Sequence, residues 1–199
     1  MPALALPFAH LNLRFNPFGE ATPSDRARLA VVDIDRFVDR LQRGGAVEFV
    51  AAHGRGKSSH LLALHRHFPD APFIKLESAM RVAPAQVLFI DEVDRVANRA
   101  AVFRQVRSIA LGTHSSVAAE LRAAGLEVES GFVSANADRL RDILERRIEW
   151  ARRGAGAVPR LSESAIAALR SRFGDDVRAA EAHLYDRFQT LSEVGDVEV

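Results

Sequence analysis

Val50-Ala51-Ala52-His53-Gly54-Arg55-Gly56-Lys57-Ser58-Ser59-His60 is the stretch that decides how this chain is read. It follows an apolar run, residues 47–52, with strand character, and it opens a helix expected over residues 57–68. The pattern G-x-x-x-x-G-K-[ST] describes a backbone loop that cradles phosphate. Gly56, Lys57 and Ser58 match that pattern, and Ala51 stands where its first glycine belongs. Gly54 and Gly56 allow the backbone to turn so that successive N–H groups face an anion. The start of the helix adds partial positive charge. Ala52, His53, Gly54, Arg55, Gly56, Lys57, Ser58 and Ser59 are therefore the candidate phosphate-binding residues, with Lys57 reaching the outer phosphates and Ser58 a magnesium ion. Only Lys57 and Lys75 are lysines, which makes the placement of Lys57 informative. The alternative is a glycine-rich turn with a serine at its helix start.

Outward from this loop, strands and helices alternate. A helix is expected over residues 33–43, where Ile34, Phe37, Val38 and Leu41 recur at helical spacing before Gly44-Gly45. Further strands are expected at 72–76, 87–90, 109–111 and 126–133, with helices at 96–106 and 117–124. Such alternation predicts a three-layer α/β/α domain around a mostly parallel sheet. Residues 1–32, broken by Pro17, Gly19 and Pro23, read as irregular.

The last third has a different pattern. Leu140, Ile143, Leu144, Ile148 and Ala151 form an apolar stripe that Arg147 interrupts. Gly154, Gly156 and Pro159 break the chain, and Ser162 can cap a second helix with Leu161 and Ile166 as its staple. Gly174 ends that helix. Asp175 can open a third, carrying Val177, Ala180, Leu184, Phe188 and Leu191. The expected division is a leading segment at 1–44, a nucleotide-binding α/β domain at 45–135 and a small helical lid at 136–199, hinged at 134–138.

Residues 87–94 read Val-Leu-Phe-Ile-Asp-Glu-Val-Asp, a buried strand that ends in carboxylates. Open α/β sheets bind ligands at that end of their strands. Asp91 is positioned for the magnesium shell and Glu92 to polarise an attacking water. The other use of such acids is to cap the following helix.

Composition narrows the classes. The chain has 199 residues, 27 basic against 26 acidic, and a formal charge of +1, so no general attraction to nucleic acid follows. It has no cysteine, which excludes disulfides and thiolate metal sites and fits a reducing, cytoplasmic setting. No apolar run reaches the roughly 20 residues of a membrane span, and the N-terminus lacks the basic region of a secretory leader. The seven histidines form no pair with metal-ligand spacing. Arginine clusters at 95–107 and 139–153 are interleaved with acids and read better as a solvated face than as a DNA surface.

The order of these parts resembles the AAA+ ATPases among the P-loop NTPases, closest to the initiator and secretion-associated branches. The resemblance covers residues 33–191. It implies that Mg-ATP binds between sheet and lid, and that hydrolysis drives a conformational change acting on a partner protein. Thr113, after the strand at 109–111, matches the polar sensor of the family best, with His114 open at the same place; a turn residue capping the next helix is the other reading of Thr113. Phe173-Gly174-Asp175-Asp176-Val177-Arg178 matches the lid signature whose arginine, here Arg178, reaches the γ-phosphate. Arg122 is the match by order for the arginine finger donated to a neighbouring subunit, with a solvated surface arginine as the other reading and Arg147 as a rival. Phe15-Asn16-Pro17-Phe18 resembles the segment that lies near the adenine in secretion-type members. The chain departs from the family in a short crossover after residue 76, which implies a reduced second helix and no pore loop there. A homo-oligomer is left open. So are a nucleotide-gated scaffold without turnover and a helper ATPase in DNA transactions.

Overall fold

The computed structural model describes residues 6–75, 85–96 and 98–199. The short crossover and its missing pore loop fall almost wholly outside those residues. Contacts divide the chain into two compact units, one of residues 23–134 and one joining residues 1–22 to 135–199.

The first unit runs α1 (Pro23–Leu29), α2 (Asp35–Arg43), β1 (Gly45–Val50), α3 (Lys57–His65), β2 (Phe73–Lys75), β3 (Val87–Asp91), α4 (Arg99–Phe103), β4 (Ser108–Thr113), α5 (Ala118–Ala123) and β5 (Val128–Phe132). Among the described residues its five strands lie in the order β2-β3-β4-β1-β5, and every pairing is parallel. Alternate side chains feed two cores. Phe89 and Ala110 join Val47 and Phe49 under α2 and α3, where Phe37, Leu41, Leu61 and Leu64 complete one face. Leu88, Ile90, Ile109 and Leu111 point the other way, against Phe103 and Leu121 of α4 and α5. The three layers expected from the sequence are present, because strands covered on both faces carry apolar residues on both. On β5, Gly131 provides the space in which Phe37 and Phe49 meet edge to face at 4.9 Å; a Cβ there would stand 2.9 Å from both rings.

Several boundaries differ from the sequence expectation, three of them near the site or at the start of the unit. Residues 23–29 form a helix, with Pro23 at its first position, where a missing N–H costs nothing. The helix expected over 96–106 shrinks to five residues, preceded by a 3-10 turn at Val93–Arg95. β1 begins at Gly45 and stops at Val50, so Ala51 and Ala52 belong to the loop.

Glu48 is a fully buried carboxylate in the middle of the sheet. It accepts hydrogen bonds from the Ser116 and Ser130 hydroxyls, each at 2.7 Å, and from the Val117 N–H at 2.8 Å. It therefore ties the start of α5 to β1 and β5. Hydrogen bonds to a charged group are each worth about 1.5–3 kcal/mol, and donors left unpaired in a core cost more than they gained. Glu48→Leu is expected to destabilise the protein by about 3 kcal/mol or more in urea unfolding, and Glu48→Gln by less. Equal stability of the leucine variant would show that these donors find other acceptors.

The second unit holds a 3-10 turn at Ala9–Leu11, α6 (Ala137–Ala151), β6 (Arg160–Leu161), α7 (Glu163–Phe173), α8 (Val177–Thr190) and β7 (Asp196–Val197). Leu140, Leu144 and Ile148 of α6 pack with Ile166, Leu169, Leu184 and Phe188, and with Leu11, Leu13 and Phe18 from the N-terminal segment. Asn136, Ser162 and Asp176 cap the three helices through their side chains. Ser162 is the cap expected from the sequence; α8 is capped by Asp176, one residue after Asp175.

Arg147 explains the interrupted stripe. It is 8% exposed, and its Nε donates to the Pro17 carbonyl at 2.9 Å while a terminal nitrogen donates to that of Gly19. Glu181 lies 3.4 Å from it. Asn16 is buried too, donating to the Tyr185 carbonyl at 2.9 Å and accepting from the Phe18 N–H at 3.0 Å. Arg147 thus anchors residues 17–19 inside this unit, and its guanidinium is occupied by that anchor rather than presented to a neighbour.

Candidate functional site

The parallel register brings three strand ends together. Val50, the last residue of β1, is level with Thr113 of β4 and Phe132 of β5; Ile90 of β3 is level with Leu111 of β4. The loop after β1, the carboxylates after β3 and the polar end of β4 therefore emerge along one edge.

In the loop, Gly54 and Gly56 adopt positive φ, 78° and 92°, a conformation that only glycine reaches without strain. Ala51 is not among the positive-φ residues, so its substitution for glycine costs no backbone strain. Lys57 starts α3 and is 7% exposed. Its amine donates to the Ala51 and Ala52 carbonyls at 2.8 and 2.9 Å, which folds the side chain back over the loop. His60, one turn on and buried, holds the Gly56 carbonyl through Nδ1 at 2.9 Å. Gly56 offers no side chain to cap α3, which leaves the positive end of the helix directed at the loop. Arg55 and Ser59 are half-buried, and His53 is exposed with its ring against His114, centroids 4.2 Å apart.

Asp91 ends β3 and is 2% exposed. The Ser58 hydroxyl donates to its Oδ2 at 2.6 Å, and Oδ1 is buried without a hydrogen-bond partner among the described residues. Gly112 makes this arrangement fit, because a Cβ on β4 would stand 2.8 Å from Oδ1 and 3.1 Å from Leu61. A hydroxyl and a carboxylate with a spare oxygen, both hard oxygen donors, are what a magnesium ion with few protein ligands requires.

Glu92 follows in the left-handed region, φ 63° and ψ 51°. For a residue with a side chain that conformation costs about 1–2 kcal/mol, the kind of strain that functional sites retain. Its carboxylate lies 2.9 Å from Arg95 Nε. Thr113 is fully buried at the end of β4, its hydroxyl set between Asp94 Oδ1 at 2.9 Å and the Ser115 carbonyl at 2.6 Å.

Asp94 is the residue that sequence reasoning missed. It receives Thr113, the His114 N–H and the His114 ring. Burial alone would raise its pKa, but these hydrogen bonds and the charge of the His114 ring hold it below the ordinary carboxylate value. The third acid of the Asp-Glu-x-Asp run was the available signal.

The structure thus gathers residues 51–59, Asp91, Glu92 and Thr113 at one edge of one unit. Arg122 is exposed on α5 of that unit. Arg178 belongs to the other unit, exposed in the first turn of α8.

No protein-family model matches the chain, and no curated protein matches it. Solved structures do. A variant of Thermotoga maritima RuvB is similar with a TM-score of 0.58 at 12% identity, over 81% of this chain and 64% of that one. Domain III of the Thermotoga maritima replication initiation protein DnaA has a TM-score of 0.54 at 13% identity, over 88% and 94%. The chain spans just under two thirds of the RuvB chain. Both likenesses are of fold alone, a parallel five-stranded sheet with flanking helices. Among the described residues no helix is long and apolar enough to cross a membrane.

Proposed function

We propose that this chain binds Mg-ATP at the loop of residues 51–59, hydrolyses it, and passes the change of nucleotide state to a partner protein. One observation carries the reading: Ser58 is hydrogen-bonded to a buried Asp91 whose other oxygen has no hydrogen-bond partner among the described residues, next to a glycine loop and a buried lysine. Loop N–H groups and Lys57 bind the phosphates, and Ser58 and Asp91 hold the magnesium ion. The ion neutralises phosphate charge when bound. Glu92, carried past the strand end by its left-handed backbone, orients the attacking water.

Arg178 completes the proposal as the lid residue for the γ-phosphate, supported by its place in the first turn of α8. There a cation opposes the helix dipole at a cost of about 0.3–1 kcal/mol, unless an anion recovers it. Arg122 is proposed to serve a neighbouring copy, supported by its exposure on α5.

The second reading is a nucleotide-gated scaffold without turnover. The Glu92–Arg95 pair favours it, since a cation 2.9 Å from Glu92 Oε2 stands against the proposed catalytic carboxylate.

Steady-state ATP hydrolysis decides between them. Glu92→Gln is expected to lower kcat about 100-fold or more, as loss of a catalytic carboxylate does, while ATP affinity stays within about twofold. Turnover unchanged in Glu92→Gln removes its assigned role. Binding without turnover in the wild type, in Arg95→Ala and with candidate partners establishes the scaffold.

A further inference from the structure

At the end of the sheet opposite the glycine loop, the starts of β1, β4 and β5 stand level, Gly45 beside Ser108 and Ala46 beside Val128. At about 3.3 Å per residue, the six residues of β1 place this end roughly 16 Å from the loop. A cleft of about 420 Å³ opens here, within the first unit, its walls including Arg40, Arg43, Arg107 and Glu127 around Gly44 and Gly45. That volume falls in the range of small-molecule sites, about 300–1,000 Å³.

The sequence keeps this cleft open and makes it cationic. Gly44 and Gly45 adopt φ of 91° and 145°. A Cβ on Gly45 would stand 2.8 Å from Arg40 Cδ and 2.6 Å from the Glu127 carbonyl oxygen, and one on Gly44 would stand 3.5 Å from Arg107 Nε. The turn is bare where arginines from α2 and from the approach to β4 close on it. Arg40 and Arg43 lie in the last turn of α2, where cations offset the helix dipole. That accounts for their sign, but not for Arg107, which comes from a different segment. Among the described residues the Arg40 guanidinium has one hydrogen-bond partner, Glu127, and its Nε is buried without any. Arg43 meets Asp39 at 3.4 Å with both side chains largely exposed, a pair that water weakens. Arg107 is exposed and pairs with no carboxylate among the described residues.

Three guanidinium groups thus line the cleft with one carboxylate, a formal excess of two positive charges. A phosphate monoester carries about −1.5 to −2 at pH 7 and three acceptor oxygens, which the planar forks of arginine match. We propose that this cleft is a second anion site, and that its ligand is a small phosphate monoester. A phosphodiester, with a single charge per group, leaves half of the excess unmatched, so a nucleic-acid backbone is the poorer fit. The site lies at the other end of the sheet from the proposed Mg-ATP site and does not depend on it.

Residue-resolved amide NMR of the full chain tests this, with methyl phosphate added at about pH 7 and ionic strength held constant with chloride. The Gly44, Gly45 and Gly125 signals, all from the cleft wall, are expected to shift saturably with a Kd on the order of 1 mM. Dimethyl phosphate, a diester, should bind at least about fivefold more weakly. Arg107→Gln should weaken methyl phosphate roughly tenfold. The double variant Arg43→Gln, Arg107→Gln should weaken it further, with thermal unfolding unchanged because both side chains are exposed. Shifts confined to Gly54 and Gly56 report the glycine loop alone and overturn the second site. So does an affinity that Arg107→Gln and the double variant leave unchanged. Dimethyl phosphate, or a thymidine oligonucleotide without a terminal phosphate, binding the cleft as tightly as methyl phosphate overturns the monoester assignment.

Discussion

Lys57→Ala is expected to weaken ATP binding about 100-fold or more. Charge-assisted hydrogen bonds to a phosphate are each worth about 1.5–3 kcal/mol, and about 2.7 kcal/mol is a hundredfold in affinity. The amine of Lys57 is held at the loop by the Ala51 and Ala52 carbonyls. Those neutral acceptors yield readily to a polyanion, so little side-chain freedom remains to be lost on binding. The same two bonds mean that the alanine variant also loses about 1–2 kcal/mol of stability. Thermal unfolding without nucleotide must therefore accompany calorimetry with Mg-ATP. An affinity within threefold of wild type in a folded variant would show that the loop does not bind phosphate through this residue, and the proposed site would be wrong.

Arg147→Met is expected to produce the largest loss of stability, about 3–5 kcal/mol in chemical denaturation, in the range seen when one partner of a buried ionic network is removed. The substitution keeps an apolar stem at this position, so the loss comes mainly from the guanidinium. Without it the Pro17 and Gly19 carbonyls lose their donor, and the partly buried carboxylate of Glu181 loses its cation. The guanidinium also stands near the rings of Phe18 and Trp150, at 6.0 and 5.8 Å from their centroids. Amide exchange of residues 16–20 should accelerate selectively, because Asn16 and Phe18 depend on that anchored turn. A loss below about 1 kcal/mol would show that residues 16–19 are held by apolar packing alone.

These two residues differ in how far they can be read without a structure. Lys57 belongs to a local pattern in which glycines, a lysine and a serine occupy adjacent positions and act through the backbone between them. Asp91 and Glu92 are similar, because four apolar residues before two acids mark where a covered strand reaches solvent. The apolar faces of the strands and helices were legible for the same reason, since each is set by a period within one element. The short helix Arg99–Phe103 was overextended because its apolar residues continue past it into the approach to β4.

Arg147 had no such local signature. A lone arginine in an apolar stripe reads equally as a snorkelling side chain, and its carbonyl partners lie about 130 residues earlier. Glu48 carries no local sign of its partners, since Ser116, Val117 and Ser130 lie 68, 69 and 82 residues away in sequence. The pairing of Asp94 with Thr113 and His114 is invisible to spacing because it joins two different strand ends. So is the packing of Leu11, Leu13 and Phe18 with the C-terminal helices.

The glycine loop, the acidic strand end and the alternation of elements were thus written in neighbouring residues, whose chemistry acts over a few bonds of backbone. Where each buried charge finds its partners was decided by the folded chain. A carboxylate or guanidinium taken out of water needs several oriented polar groups at once, and folding brings those groups together from distant segments.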